Sequence, residues 1–288
     1  MDHSIGVALI VWNFTKDKKQ TLAGLFHDIA TPAFKHVIDF LNGDYEKQES
    51  TEELTTKIIS ESKKIMSLLN RDGIKIEEIN DYHKYPIADN DTPMLSSDRL
   101  EYTLSNGFGV GKELWNLDEV KEIYENIEIQ KNEKEIEELG FKDKEIAEKF
   151  VKNMSILSKS YMDSKTKISM QLLADIIKKI YEQNLITKND LYNLSEKEIM
   201  EKIENCKYND IAQKFNEWRN TERAYESDTV VKNRYCKEIK TKRRYINPLV
   251  RDENNYTRIN QISKKAKEDI ESCLKFETKK YAYFDFEF

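Results

Sequence analysis

The sequence of 288 residues predicts a mainly α-helical fold with additional C-terminal helices and a small antiparallel β element. Charged residues make up 35% of the chain, but there are only 8 glycines and 4 prolines, too few for the many turns of a β-sandwich. Capping sequences such as Ser50-Thr51-Glu52-Glu53 mark helix starts, and an alternating aromatic run ends the sequence.

The first third predicts a series of helices and one long loop. The stretch 80–97 is rich in Asp, Asn and Pro, which favours an irregular and often functional segment. Ser96 and Ser97 would then cap the next helix. The helices expected here are 3–12, 18–26, 34–41, 50–69 and 98–107.

The remaining two thirds continue the helical pattern and then change character. Residues 240–250 have strand composition, and 281–288 alternate with Phe284, Phe286 and Phe288 on one face. We predict that these two segments pair as a small antiparallel sheet. The helices expected here are 117–139, 143–161, 167–184, two short ones beginning at Thr187 and Ser195, 208–218 and 259–274.

The composition argues against several classes of protein and of binding partner. A net charge of −6 argues against a general nucleic-acid binder, and no apolar run is long enough to cross a membrane. The three cysteines are far apart and form no metal or disulfide spacing, which favours a reducing, cytoplasmic location. We expect a catalytic helical core over 1–115, a helical extension over 116–230, and a basic strand, helix and terminal strand over 231–288 that pack on the core.

All four histidines lie in the first third of the chain, which places any metal chemistry there. His27-Asp28 ends an apolar helical run that Pro32 prevents from continuing. His3 lies upstream and Asp98 downstream as further candidate ligands. Imidazole and carboxylate groups together suit one divalent ion such as Mn, Fe, Co, Ni, Zn or Mg. The alternative is that His27 caps its helix and Asp28 is an ordinary polar residue.

The order and context of these residues resemble the H…HD…D signature of the HD-domain metal-dependent phosphohydrolases. The matching segments are His3-Ser-Ile-Gly, Gly-Leu-Phe-His27-Asp28-Ile and Asp98-Arg-Leu-Glu-Tyr. Within that family, the sequence most resembles the deoxynucleotide triphosphohydrolase branch. This resemblance covers about the first 110 residues. It implies an HD-type core in which these four residues hold the metal.

The resemblance also implies roles for neighbouring residues. His36 would handle a proton or contact phosphate, with Asp39 as its supporting acid, although a lone histidine on a short helix is more often structural. Arg99 would hold phosphate, and Tyr102 would pack on the sugar. Thr31 and Asn106 are further candidate substrate contacts at which the chain departs from the family. A catalytic histidine is common at the position of Thr31, and an aspartate lies near the 3′-hydroxyl at the position of Asn106. An arginine that precedes the first histidine in the family has no counterpart, so one phosphate contact is expected to be missing.

Other side chains in this part have plainer explanations. We expect His83, on the predicted loop, to be structural. Asp89 and Asp91 could line the site, but nothing in their spacing requires it.

These features predict a metal-dependent phosphohydrolase that acts on nucleotides. The substrates favoured are deoxynucleoside triphosphates, cleaved to nucleoside and triphosphate. One alternative is a phosphodiesterase or phosphomonoesterase of the same family. Another is a catalytically weak, nucleotide-sensing, oligomeric HD protein. For the main interpretation too, we expect a homo-oligomer. The segment 232–251 carries eight basic residues and one acid, Glu238. It could bind nucleotide or polyphosphate at a subunit boundary, or simply be a charged edge strand that discourages aggregation.

Overall fold

The computed structural model describes residues 2–35, 37, 52–109, 113–239, 243–253 and 255–287. The chain divides into two compact units. The first consists of Met1–Ile29, Leu54–Lys159 and Arg243–Phe276, and the second of Ala30–Glu53, Ser160–Lys242 and Glu277–Phe288. The predicted division at 115 and 230 stays a prediction.

Helices dominate both units, so the mainly α-helical prediction is confirmed. No described helix has the length and apolar character that crossing a bilayer requires. The helices that lie wholly or mainly in the first unit are α1 (Asp2–Thr15), α2 (Lys18–Phe26), α3 (Glu52–Glu61), α4 (Lys63–Asp72), α5 (Ser97–Gly109), α6 (Leu117–Glu125), α7 (Lys144–Met162), α12 (Ile259–Ile262) and α13 (Lys264–Leu274). Those of the second are α8 (Ser164–Glu182), α9 (Lys188–Asn193), α10 (Glu196–Glu204) and α11 (Asn209–Asn220).

Two helices predicted as continuous are each broken at a serine. Ser62 separates α3 from α4, and its hydroxyl accepts a hydrogen bond from the Ile65 amide at 3.4 Å. Ser263 separates α12 from α13 and accepts from the Ala266 amide at 3.1 Å. Each serine caps a new helix, which satisfies an amide that lacks an intrahelical partner. The predicted helix 34–41 lies largely outside the described residues.

The predicted helix over 117–139 is wrong beyond its first turns. Helix α6 ends at Glu125, and the chain continues as β1 (Ile127–Lys131) and β2 (Glu137–Phe141), which form an antiparallel hairpin. Four consecutive residues of β2, from Glu138 to Phe141, are buried. A strand that is covered on both faces buries consecutive residues, whereas a solvated charged helix keeps one side exposed to water.

The β structure is larger than predicted and is divided between the units. In the first unit, β5 (Leu249–Asp252) pairs in parallel with β2 and antiparallel with β6 (Asn255–Arg258). In the second, β7 (Tyr281–Phe284) lies between β3 (Tyr225–Ser227) and β4 (Tyr235–Glu238). The predicted pairing of 240–250 with 281–288 is therefore wrong. Strand β5 begins only after Pro248, whose nitrogen cannot donate to a ladder.

The first unit packs its helices on a core that includes Leu100, Leu139 and Phe150, each fully buried. A smaller apolar cluster of Val7, Val11 and Ala88 lies beside it and includes one face of α1. Helices α2 and α5 both pack against α1. Three segments far apart in sequence are thereby fixed next to one another.

Candidate metal centre

The candidate ligands lie at the ends of the three packed helices. His3 is in the first turn of α1, and Asp98 is in the first turn of α5. His27 is the C-cap of α2, and Asp28 follows where the helix has ended. A helix end lets adjacent residues direct their side chains to one place, which a continuing helix would not allow.

These side chains converge on one point. Asp98 Oδ1 lies 3.0 Å from His3 Nε2 and 3.4 Å from His27 Nε2. Asp28 Oδ2 lies 3.6 Å from His27 Nε2. One ligand atom each from His3, His27 and Asp28 falls within 4.8 Å of the others. The structure therefore brings together all four residues that the sequence nominated.

The outer nitrogen of each imidazole has a separate partner. His27 Nδ1 donates to the Gly24 carbonyl at 2.6 Å, and His3 Nδ1 donates to the Glu101 carboxylate. Both rings therefore direct Nε2 toward Asp98. Glu101 received no role from the sequence, although it lies one helical turn after Asp98, a spacing that places both carboxylates on one face of α5.

The carboxylates govern the charge of the two imidazoles. Burial by itself would lower the pKa of His3, but hydrogen bonds to Asp98 and Glu101 raise it to about 9. Burial likewise opposes protonation of His27, yet the nearby Asp98 and Asp28 carboxylates raise its pKa above the ordinary value. The pKa of Asp98 is lowered, since the two histidines outweigh its burial. An arriving cation would take the place of protons at this point.

The arrangement fits a divalent metal ion. His27 Nε2 is buried and has no hydrogen bond of good geometry with any described residue. A buried polar atom without a partner is costly unless something else binds it. Two imidazole nitrogens and two carboxylates form a donor set suited to Mn, Fe, Co, Ni or Zn.

Arg99 makes contacts that the sequence did not predict. Its Nη1 donates to Asn90 Oδ1 at 2.5 Å and to the Met94 carbonyl at 2.9 Å, and its Nη2 donates to the Asn90 carbonyl. Asp89 Oδ1 lies 3.8 Å from Nη2. The pKa of Asp89 is raised by burial and by the charge of Asp98. Arg99 thus clamps the loop before α5, and its predicted phosphate contact stays a prediction.

The remaining predicted site residues are placed differently. Tyr102 packs against the core of the first unit, and Asn106 is half-buried on the same helix. Thr31 is half-buried and falls in the second unit. His36 and Asp39 lie outside the described residues.

Tyr82 is a neighbour of the site that the sequence did not indicate. Its ring meets that of His27 edge-on, with 5.7 Å between centroids, and the His83 ring stacks on it at 4.2 Å. His83 Nδ1 lies 3.1 Å from Asp81 Oδ1. Tyr82 covers the imidazole of His27.

Comparison with known proteins agrees with this geometry. Residues 1–102 match the HD domain family. The predicted likeness to HD-domain proteins is confirmed for this part of the chain, whereas the deoxynucleotide triphosphohydrolase branch stays a prediction.

Two curated relatives each match a little over a third of the chain. The uncharacterized protein YdhJ of Bacillus subtilis is 30% identical over 111 residues, 38% of this chain and 34% of that protein. The metal-dependent phosphohydrolase cns2 of Cordyceps militaris is 25% identical over 117 residues, 39% of this chain and 32% of that protein. The chain thus spans about a third of the length of either relative.

One solved structure resembles nearly the whole chain. The crystal structure of a hypothetical protein from Aquifex aeolicus has a TM-score of 0.66 and 16% identity, and the match covers 99% of this chain and 83% of that one. At this identity the likeness shows a shared fold.

The basic segment 232–251 has acidic neighbours from other parts of the chain. In the second unit, Arg234 Nε lies 2.6 Å from Asp285 Oδ1, and Lys237 Nζ lies 2.8 Å from Asp175 Oδ2. In the first unit, Arg251 pairs with Glu128 on the hairpin. These acids reduce the local excess of positive charge that the sequence indicated.

Proposed function

We propose that the protein is a divalent-metal-dependent phosphohydrolase that acts on nucleotides. The observation that supports this most is the convergence of His3 Nε2 and His27 Nε2 on Asp98, next to Asp28. The HD family match over residues 1–102 and the likeness to cns2, a metal-dependent phosphohydrolase, support the same reaction class.

In this proposal, His3, His27, Asp28 and Asp98 hold the ion. A divalent ion bound there supplies Lewis-acid activation of water and of a phosphoryl group. The Gly24 carbonyl and the Glu101 carboxylate fix the two imidazole planes, so that Nε2 of each ring faces Asp98. Tyr82 covers His27 and limits the access of water on that side.

Replacement of Asp28 tests the proposal. Asp28→Ala should abolish both metal binding and hydrolysis, because it removes one of the four ligands and a charge that attracts the cation. Metal content is measured by mass spectrometry, and hydrolysis by chromatographic separation of the nucleotide from its cleavage products. Asp118→Ala, which removes an exposed carboxylate at the start of α6, is the control. Full metal occupancy in Asp28→Ala would contradict the proposed site.

The finer substrate proposal is that deoxynucleoside triphosphates are cleaved to nucleoside and triphosphate. Tyr102 would exclude a 2′-hydroxyl by its bulk, and Asn106 would hydrogen-bond the 3′-hydroxyl without the charge that strengthens such a bond. We expect dNTPs to be preferred over NTPs, and Asn106→Asp to increase that preference. The measurement is the turnover ratio for each dNTP and its ribose counterpart. Cleavage of only cyclic or monophosphate nucleotides would instead identify a phosphodiesterase or phosphomonoesterase.

A catalytically weak nucleotide sensor is the second candidate. The contacts of Arg99 favour it, because its guanidinium already binds Asn90 and Met94. Such a protein would bind metal and nucleotide but hydrolyse no nucleotide, which calorimetry combined with the same substrate screen distinguishes. A change of oligomer size on adding nucleotide would support the sensing role.

A further inference from the structure

The two candidate histidine ligands are oriented by different kinds of partner. His27 Nδ1 donates to a main-chain carbonyl, that of Gly24. A carbonyl oxygen can only accept, so Nδ1 must carry the hydrogen and Nε2 is left to bind the ion. For His3 the corresponding partner is the side chain of Glu101. The orientation of His3 therefore depends on where the Glu101 carboxylate is held.

Glu101 is itself held in place. Ser105 Oγ donates to Glu101 Oε1 at 2.5 Å, one helical turn further along α5. The side chain of Glu101 is only 13% exposed, which limits the positions that it can adopt. One carboxylate oxygen thus binds Ser105 while the other accepts from His3.

Gly6 provides the space in which Glu101 lies. A Cβ atom at this position of α1 would come within 2.7 Å of Glu101 Cγ and 3.0 Å of its Oε1. Carbon atoms do not approach so closely without displacement. Gly6 follows His3 by three residues, so one face of α1 presents both the imidazole and the space for its partner.

We propose that Glu101 is a positioning residue that fixes the plane and tautomer of His3, so that Nε2 binds the metal ion. The proposal rests on the metal-binding part of the proposed function and is independent of the substrate. A carboxylate on the outer nitrogen of a ligating imidazole also increases its basicity, and loss of such a partner weakens metal affinity by about 10- to 100-fold.

The test is the metal dissociation constant, measured by competition with a chelator on the full chain. Glu101→Ala should raise the constant of a zinc-loaded protein by about 10- to 100-fold. The dissociation constant of Glu101→Gln should lie between those of the wild type and Glu101→Ala, because the amide oxygen still accepts from His3 Nδ1 but carries no charge. Gly6→Ala should act in the same direction by displacing Glu101. Glu125→Ala, which removes an exposed carboxylate 4.0 Å from Lys121, should leave the constant unchanged.

A nitrogen NMR spectrum of the histidine side chains gives a readout that general destabilisation would not alter. In the zinc-loaded wild type, His3 should show a protonated Nδ1 and a metal-bound Nε2, and Glu101→Ala should show mixed ligation or loss of the His3 signal pattern. His27 should keep its pattern in both proteins. If Glu101→Ala does not fold, Glu101→Gln and Gly6→Ala provide the comparison.

Unchanged zinc affinity in these variants, with His3 still bound through Nε2, would overturn the proposal. That outcome differs from failure of the proposed function. A wild-type protein that hydrolyses no nucleotide, while Glu101→Ala weakens zinc binding, would refute the phosphohydrolase and leave the role of Glu101 intact. Nucleotide hydrolysis by the wild type, together with an unchanged zinc affinity in Glu101→Ala, would support the phosphohydrolase and refute the role of Glu101.

Discussion

Arg99 follows a candidate metal ligand directly, yet its guanidinium lies on the loop that precedes α5. It bridges the carbonyl and side-chain oxygens of Asn90 and the carbonyl of Met94. A planar guanidinium can reach several acceptors at once, whereas a lysine ammonium on a flexible chain cannot. The first role of Arg99 is therefore to hold the loop against the helix that carries Asp98.

Replacement of Arg99 by lysine separates this role from phosphate binding. We expect Arg99→Lys to lower the free energy of unfolding by about 1–3 kcal/mol, because partly buried acceptors lose their donors. Metal content should stay unchanged. Urea unfolding measures the effect, and Arg71→Lys, on an exposed arginine paired with Asp72, should stay within about 0.5 kcal/mol of wild type. Lost turnover with unchanged stability would instead favour the phosphate contact.

At the scale of elements, a buried ion pair joins the strands of the first unit. Arg258 on β6 donates to both carboxylate oxygens of Glu138 on β2, at 2.6 and 2.9 Å, and Glu138 is fully buried. Glu133, in the hairpin turn, accepts two further hydrogen bonds from Arg258. The β2 and β6 strands do not pair directly, since β5 lies between them.

Loss of the arginine should be costly because it leaves a buried carboxylate without its cation. We expect Arg258→Met to reduce the free energy of unfolding by about 3–5 kcal/mol. Arg251→Met is the matched control, since Arg251 lies on β5, pairs with Glu128 and is 48% exposed. The control should cost at most about 1 kcal/mol, as exposed pairs do. Equal losses in the two variants, measured by urea unfolding, would mean that burial of the pair has no special effect.

The same strands show where prediction from sequence fails. Local signals predicted α1, α2 and the capped helices at Thr187 and Ser195, because caps and apolar spacing act within a few residues. The hairpin was missed because a run of Glu and Lys satisfies a helical pattern. The buried Glu138 is paired with an arginine 120 positions away in the sequence, and no local pattern reveals that pair.

For the candidate site, too, the sequence predicted some residues and missed others. The motif nominated His3, His27, Asp28 and Asp98, and the structure brings them together. Glu101 was missed since its partner is 98 positions distant. The roles predicted for the other site residues stay predictions.

For the molecule as a whole, the candidate ligands all belong to the first unit. An ion that binds the folded state but not the unfolded one stabilises by about 2.7 kcal/mol at 100 times its dissociation constant. We expect added metal to slow amide hydrogen exchange in α1, α2 and α5, with α8 and α10 unaffected. Mass spectrometry of exchanged peptides measures this, with Asp28→Ala as the protein that should not respond. Equal slowing in α8 would contradict a stabilisation confined to the first unit.

The separation of the ligands along the chain has a consequence during protein synthesis. His3 and Asp98 are 95 positions apart, so the complete ligand set does not exist until Asp98 has been translated. At the usual elongation rates, this leaves His3 without its carboxylate partner for roughly 5 to 20 s. In the proposed site, the nascent chain could acquire its ion in the final geometry only after α5 has docked on α1. Metal loading would then be governed by folding rather than by the supply of ions alone.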